Sequence, residues 1–291
     1  MRTKWRGRGA GWLLCVTMCL AGVLLVLLSS GVMSVPEEVR VPILLYHHFT
    51  EKVTGEDVEI SPETFEAHMR ALSKAGYTAV SFEQMRNYVE RGERLPKRPV
   101  CITMDDGYLS NYEIAWPILE RYGMKGTIFL IGSNVGHSYY KDTGCPVTPY
   151  FSWEQGREMV DSGVIDLQCH TYDLHQWGPL EPERPVRENI LPLPGETEEE
   201  YVRVVTEDLE QFQRVYEAEL GERADVLAYP GGKYNELAER TVREEGFRVT
   251  LSTDVHRENF LKKGEPESLY ELGRINVEAD MTAEQLLELI E

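Results

Sequence analysis

Basic residues are scarce in this chain. Lysine and arginine number 30 against 49 aspartates and glutamates, and the formal charge is -19. Four of the basic groups, Arg2, Lys4, Arg6 and Arg8, fall within the first ten residues, so the rest of the chain is more acidic still. Such a body lacks the clustered positive charge that nucleic acid or an anionic lipid surface rewards, and no nucleic-acid partner is expected. A neutral or cationic ligand suits it better. Cysteine is scarce too: of five, Cys15 and Cys19 lie in an apolar N-terminal stretch. The other three, Cys101, Cys145 and Cys169, are an odd number and give no disulfide framework. Cys101 and Cys169 sit in apolar strand-like runs and read as plain core residues. No internal repeat and no long low-complexity tract is found, which leaves ordinary globular material of one large domain or two small ones.

Long hydrophobic runs are limited to one. Gly11–Met33 carries no charge and is long enough to cross a bilayer as a helix. The basic residues before it would stay in the cytoplasm, placing everything after Met33 outside, as a single-pass cell-membrane protein with an extracellular body. The competing reading is a cleaved signal peptide, whose apolar core of about 7 to 15 residues should end at a small-x-small site. SSGVMSV offers no clear one, and the uncleaved anchor is favoured. Ser34–Arg40 reads as a polar linker, and residues 41–291 as the functional domain.

Within that domain, apolar runs of strand length alternate with helical patterns. Val41–His48, Thr78–Val80, Val100–Met104, Gly126–Ile131, Val164–Cys169, Val226–Tyr229, Phe247–Ser252 and Arg274–Val277 read as strands. Helices are expected over Ser61–Tyr77, from Ser81 to Arg91, Tyr112–Tyr122, from Ser152 to Ser162, Glu200–Leu220, Tyr234–Glu245 and Thr282–Ile290. Ser81 with Gln84 and Ser152 with Gln155 form capping boxes. Residues 176–199, rich in Pro and Glu, are too long for a simple connector and read as an elaborated loop over one face. The alternation predicts an α/β fold, a parallel sheet or barrel.

In such folds reactive groups gather at the carboxyl ends of the strands. Here those ends carry His47 and His48, Asp105 and Asp106, His170, and Tyr229-Pro230-Gly231. In VCITMDDGYL the two carboxylates share a pocket only if the backbone turns, which Gly107 permits. Alone, Asp-Asp-Gly reads equally as a turn. His170 and His175, in CHTYDLHQW, are five residues apart; on a helix they would diverge by about 140°, but on a loop both rings can curl to one point. With a strand-end carboxylate they make a two-His, one-carboxylate set with open positions, suited to zinc or another divalent first-row ion. The second aspartate is then free to take a proton.

TMDDGY, HTYDLH and AYPGGKYN, in that order and spacing, resemble the NodB-type polysaccharide deacetylases, and the resemblance spans residues 40–280. The opening VPILLYHHF and closing LGRINV are similar to the branch acting on extracellular poly-N-acetylglucosamine and cell-wall glycans. The resemblance implies a distorted seven-stranded β/α barrel. It further implies removal of N-acetyl groups from an N-acetylated glycan polymer, with Asp105 as general base and Asp106, His170 and His175 binding the metal. Zinc is the expected ion, with cobalt, nickel or iron as alternatives. Tyr229, Pro230, Gly231 and Gly232 would line the groove, with a main-chain N–H there helping to hold the oxyanion. Two departures stand out. Where many members carry an Arg that steadies the base, this chain has Leu227-Ala228, and Arg274 in LGRINV is the substitute candidate. The C-terminal Leu-x-His, whose imidazole protonates the leaving amine, is missing; the acid is then expected to be His47, with His48 and His256 as weaker candidates. His48 should face away from His47 by strand alternation.

Tyr139, Tyr140, Tyr150 and Trp177 fall in loops expected near the same face, where aromatic rings stack on sugars; Trp177 is the candidate among them. A monomer is expected. Two alternatives remain: a non-catalytic glycan-binding protein on a degenerate barrel, and a glycoside hydrolase using Asp105 and Asp106. The latter needs carboxyl groups about 5 to 9.5 Å apart on opposite sides of the bond, which adjacent residues achieve poorly.

Overall fold

Eight apolar runs become parallel strands, most of them joined by a helix that brings the chain back to the same edge; Thr78–Ala79 pairs with Pro99–Val100 at one side, and seven form the continuous path of the sheet. These seven are β1 (Ile43–Tyr46), β2 (Pro99–Asp106), β3 (Gly126–Leu130), β4 (Ile165–Cys169), β5 (Val226–Ala228), β6 (Val249–Leu251) and β7 (Ile275–Asn276). The helices are α1 (Pro62–Lys74), α2 (Phe82–Arg91), α3 (Trp116–Arg121), α4 (Trp153–Asp161), α5 (Glu198–Leu220), α6 (Glu236–Glu244) and α7 (Ala283–Ile290). This computed structural model describes residues 37–54, 58–181 and 185–291. The expected anchor or signal segment, Gly11–Met33, lies outside them; among the described residues no helix is long and apolar enough to cross a membrane.

The sheet runs β6-β5-β4-β3-β2-β1-β7, every pairing parallel. It curls until its two ends approach: the Ser252 N–H donates to the Leu272 carbonyl and the Leu272 N–H to the Thr250 carbonyl, both at 2.8 Å, just ahead of β7. This curled sheet with its helices is consistent with a distorted β/α barrel. Alternate strand residues enter two clusters. Leu44, Ile102, Ile128, Leu167 and Leu227 pack with apolar residues of α1 and α3–α7. Ile43, Cys101, Phe129, Val226 and Val249 pack instead with Phe82, Met85, Tyr88 and Val89 of α2.

Helix ends follow the sequence closely. The capping boxes at Ser81/Gln84 and Ser152/Gln155 form, as do Thr197/Glu200 and Thr282/Gln285. Two segments differ from expectation. The last residues of the polar linker, Glu38–Arg40, are a strand antiparallel to Phe260–Lys262, because Val39 packs on the second cluster and Arg40 pairs with Glu258 at 3.0 Å. The single helix expected over Tyr112–Tyr122 is a π-helical turn, Asn111–Ala115, running into α3. Pro117 has no N–H to continue an α-helical ladder, and the wider turn absorbs the mismatch.

Candidate active site

β2 ends in two carboxylates that would point to opposite faces if the strand ran on straight. It does not. Asp106 itself takes a left-handed φ of 73° and Gly107 follows at 84°. The turn therefore starts one residue before the glycine, at a position where such a backbone is strained by about 1–3 kcal/mol. A Cβ on Gly107 would sit 2.9 Å from Leu130 Cδ2, so a larger residue would have to displace that side chain as well as adopt the left-handed φ. The consequence is that both carboxyl groups face one imidazole: His170 Nε2 lies 3.6 Å from Asp105 Oδ2 and 3.7 Å from Asp106 Oδ1.

His175 comes to the same point from the loop after β4, with Nε2 3.9 Å from Asp106 Oδ1. One ligand atom from each of Asp106, His170 and His175 lies within 4.8 Å of the others. Each ring is oriented by a main-chain carbonyl on its other nitrogen, His170 Nδ1 on Ala228 O at 2.7 Å and His175 Nδ1 on Glu188 O at 2.8 Å. A ring that donates Nδ1–H keeps Nε2 as a bare lone pair, which is the tautomer a metal needs. Burial pushes His170 down to about 4, so it stays neutral.

Asp106 Oδ1 is buried without a hydrogen-bond partner, a costly state for a carboxylate unless a cation belongs there. Ligands bound to zinc at about 2.0–2.2 Å would stand about 3.4 Å apart, and the two spacings from Asp106 Oδ1, 3.7 and 3.9 Å, are near that. The donor set of two imidazoles and one carboxylate fits a divalent first-row ion.

Asp105 is held differently. Arg274 Nη1 and Nη2 donate to its two oxygens at 2.6 and 2.7 Å, a bidentate pair in which the arginine is 0% exposed. Burial alone would raise the Asp105 carboxyl, but Arg274, His170 and His47 outweigh it and hold it well below the usual carboxylate range. Arg274 stands over the Phe129 ring at 5.5 Å and also donates from Nε to Ser252 O at 3.3 Å.

His47 falls between strands, partly buried, with its carbonyl taken by Asn111 Nδ2 at 2.7 Å. The continuous run expected through His48 breaks here: His48 opens a separate two-residue strand, and its Nδ1 is bound to Ser110 Oγ at 2.9 Å. His256 is exposed in the turn after Asp254. The expected groove segment presents its main chain rather than the Tyr229 side chain. The Tyr229 ring is fully buried and its hydroxyl donates to Glu239 Oε2 at 2.6 Å, so its side chain lines no groove; only main chain is offered there. Gly232 is required, since a Cβ would lie 2.1 Å from Thr253 Oγ1. Tyr140 is likewise buried, donating to Glu181 and accepting from the Trp177 N–H. Tyr150 stacks on Tyr108, centroids 5.2 Å apart, and both hydroxyls feel the Asp106 charge. Trp177 is 51% and Tyr139 56% exposed.

Sequence reading passed over Glu188, Tyr108 and Asp208. Glu188 acts through its backbone and leaves no mark in the sequence. Tyr108 lies within the DDGY run and could have been found there.

Comparison with known proteins agrees in kind. The family described as Polysaccharide deacetylase matches residues 92–250. YxkH of Bacillus subtilis, which bears a polysaccharide deacetylase name, is 26% identical over 87% of this chain and 77% of its own. The Staphylococcus aureus (strain MSSA476) poly-beta-1,6-N-acetyl-D-glucosamine N-deacetylase is 23% identical over 72% of this chain and 66% of its own. The structure of IcaB from Ammonifex degensii superposes with a TM-score of 0.69 at 27% identity, covering 86% of this chain and 97% of that one.

Proposed function

The chain belongs to the polysaccharide deacetylase family, and on that premise we propose that it is a divalent-metal-dependent hydrolase removing N-acetyl groups from N-acetylglucosamine-containing polymers. The observation that carries the metal reading is the buried, unpartnered Asp106 Oδ1 with two carbonyl-oriented imidazoles beside it. A binding module without catalysis has no need of three such ligands.

Asp106, His170 and His175 would hold a divalent ion, with zinc expected, which would supply Lewis acidity toward the acetamide carbonyl. The rest falls to side chains and backbone. Asp105, aimed by Arg274, takes the proton of the attacking water; the C–O bond forms, the C–N bond breaks, and acetate and a free amine leave. His47 supplies the proton to the departing nitrogen. For the oxyanion, the main chain of 229–233 narrows the choice. The N–H groups of Tyr229, Gly232 and Lys233 are committed to Leu251, Tyr229 and Pro230 carbonyls, and Pro230 has none. Gly231 N–H is the donor left. Trp177, exposed two residues beyond His175, offers a face for sugar stacking.

The substrate class is supported by the glycan in the staphylococcal relative's name and by an acidic body suited to a neutral polymer that becomes cationic on deacetylation. Gly11–Met33 supports an anchored protein acting outside the cell membrane, and a monomer is proposed. The test is direct: the purified chain is incubated with N-acetylglucosamine oligomers and with peptidoglycan, with and without chelator, and acetate is assayed. Chelator-sensitive acetate release is expected; release indifferent to chelator, or none from any substrate, defeats the reading.

A further inference from the structure

We propose that Asp208, on α5 and outside the reaction itself, is a positioning residue for the metal site. Its carboxylate clamps the loop between the two histidines and so sets where the second imidazole meets Asp106. The inference rests on the metal reading above.

The loop His170–His175 cannot hold its own shape. Thr171 takes a left-handed φ of 70°, unfavourable for a β-branched residue. The neighbouring turn after β3 takes up its carbonyls, with Gly132 N–H donating to Thr171 O at 3.1 Å and Ser133 N–H to Tyr172 O at 2.9 Å. The Leu174 N–H is met by Thr171 Oγ1 at 3.2 Å. The N–H groups of Tyr172 and Asp173, midway between the imidazoles, find their acceptor outside the loop. Asp208 takes both, Oδ2 from Tyr172 and Oδ1 from Asp173, each at 2.7 Å.

The helix behind it is rigid: Val205, Leu209 and Phe212 are buried on either side of Asp208. Keeping a carboxylate here is costly, since burial pushes it up to about 7 despite the two donors. An asparagine would be cheaper to bury, but it has one acceptor oxygen and would set its amide against a backbone N–H. Two oxygens are what the loop requires. Farther along, Gln176 N–H donates to Arg187 O at 2.8 Å, and buried Arg187 is paired with Glu196, fixing the segment whose Glu188 carbonyl orients His175. Asp208 thus sets one end of the path to His175, and the 187–196 segment the other.

The experiment compares wild type and Asp208→Asn for zinc affinity, by competition with a chromophoric chelator, and for the visible spectrum of the cobalt-substituted protein. Loss of an outer support of this kind should weaken zinc binding about 10- to 100-fold and alter the cobalt bands, with the metal-free fold retained by circular dichroism. Wild-type affinity and an unchanged cobalt spectrum in the variant overturn the proposal, whatever happens to Tm. Wild-type protein that binds neither ion overturns the metal reading and this inference with it. If Asp208→Asn does not fold, Asp208→Glu is measured the same way; failure of both to fold while His175→Ala folds makes the residue purely structural and overturns the proposal.

Discussion

Two aspartates on the same face of the sheet meet opposite fates. Asp105 stands opposite Phe129, which stands opposite Gln168; Asp166 is two residues before Gln168, toward the amino ends of the strands. At the carboxyl end, Asp105 has a buried guanidinium on both oxygens and is held low. At the amino end, Asp166 borders a cavity of about 320 Å³ that Arg86, Asp225 and Glu222 also line. Among the described residues its oxygens are hydrogen-bonded by Gln168 Nε2 alone, at 3.3 and 3.2 Å, while Arg86 pairs directly with Asp225 at 2.7 Å. Burial pushes Asp166 up to about 7, and the Asp225 and Glu222 carboxylates add to it. Asp105 is buried and Asp166 half-buried, and desolvation raises both; what differs is whether a cation is bonded directly to the carboxylate.

The contrast breaks most sharply at Asp105→Asn. Turnover should fall by about 10²- to 10⁴-fold with metal content retained, because the proton acceptor is lost and the three ligands are not. Metal loss in that variant, measured by elemental analysis, would exchange the roles of Asp105 and Asp106. Arg274→Met leaves Asp105 a buried carboxylate without its bonded cation, which brings the carboxyl-end site closer to the amino-end one. The expected cost is about 3–5 kcal/mol in denaturant unfolding. Because Asp105 is held below its unfolded value of about 3.9, the pair stabilises above that pH and loses its contribution as pH falls. The gap between wild type and Arg274→Met should therefore narrow in acid.

Asp166→Asn tests the other end with the sign reversed. A carboxyl raised to about 7 favours the fold below about 4 and gives up that contribution as pH climbs to 7. The variant should melt about 2–4 °C higher than wild type at pH 8, the shift of a 1 kcal/mol gain in a domain of this size, with deacetylation unchanged. A lower Tm at pH 8 would mean that the charge of Asp166 is used. The smallest effect is expected at the exposed rim: Trp177→Ala should raise KM for glycan oligomers by about 2- to 10-fold and leave kcat alone. A KM equal to wild type would leave the ring no part in sugar contact.

Much of this was readable in one dimension. Strand and helix order followed from apolar periodicity, and helix starts from Ser and Thr caps, because both depend on contacts within a few residues. The pairing of Arg274 with Asp105 spans 169 positions. From sequence it had only a motif departure behind it, since nothing local marks an arginine as the partner of a distant carboxylate. The burial of the Tyr229 ring was out of reach for the same reason: its hydroxyl found Glu239 on α6, a choice made by helix packing. Glu38–Arg40 joined the fold through a strand more than two hundred residues away.

The sequence by itself determined which chemical groups stand at strand ends and which residue types are available to bind a cation, because strand length, turn residues and side-chain identity are local properties. Tertiary structure alone decided which nitrogen of each imidazole is free, which aspartate receives the guanidinium, and which backbone N–H groups of residues 229–233 are spent on carbonyls. Those outcomes depend on atoms brought together across the curl of the sheet, where a hydrogen bond or a charge acts over a few ångströms of space whatever the separation along the chain.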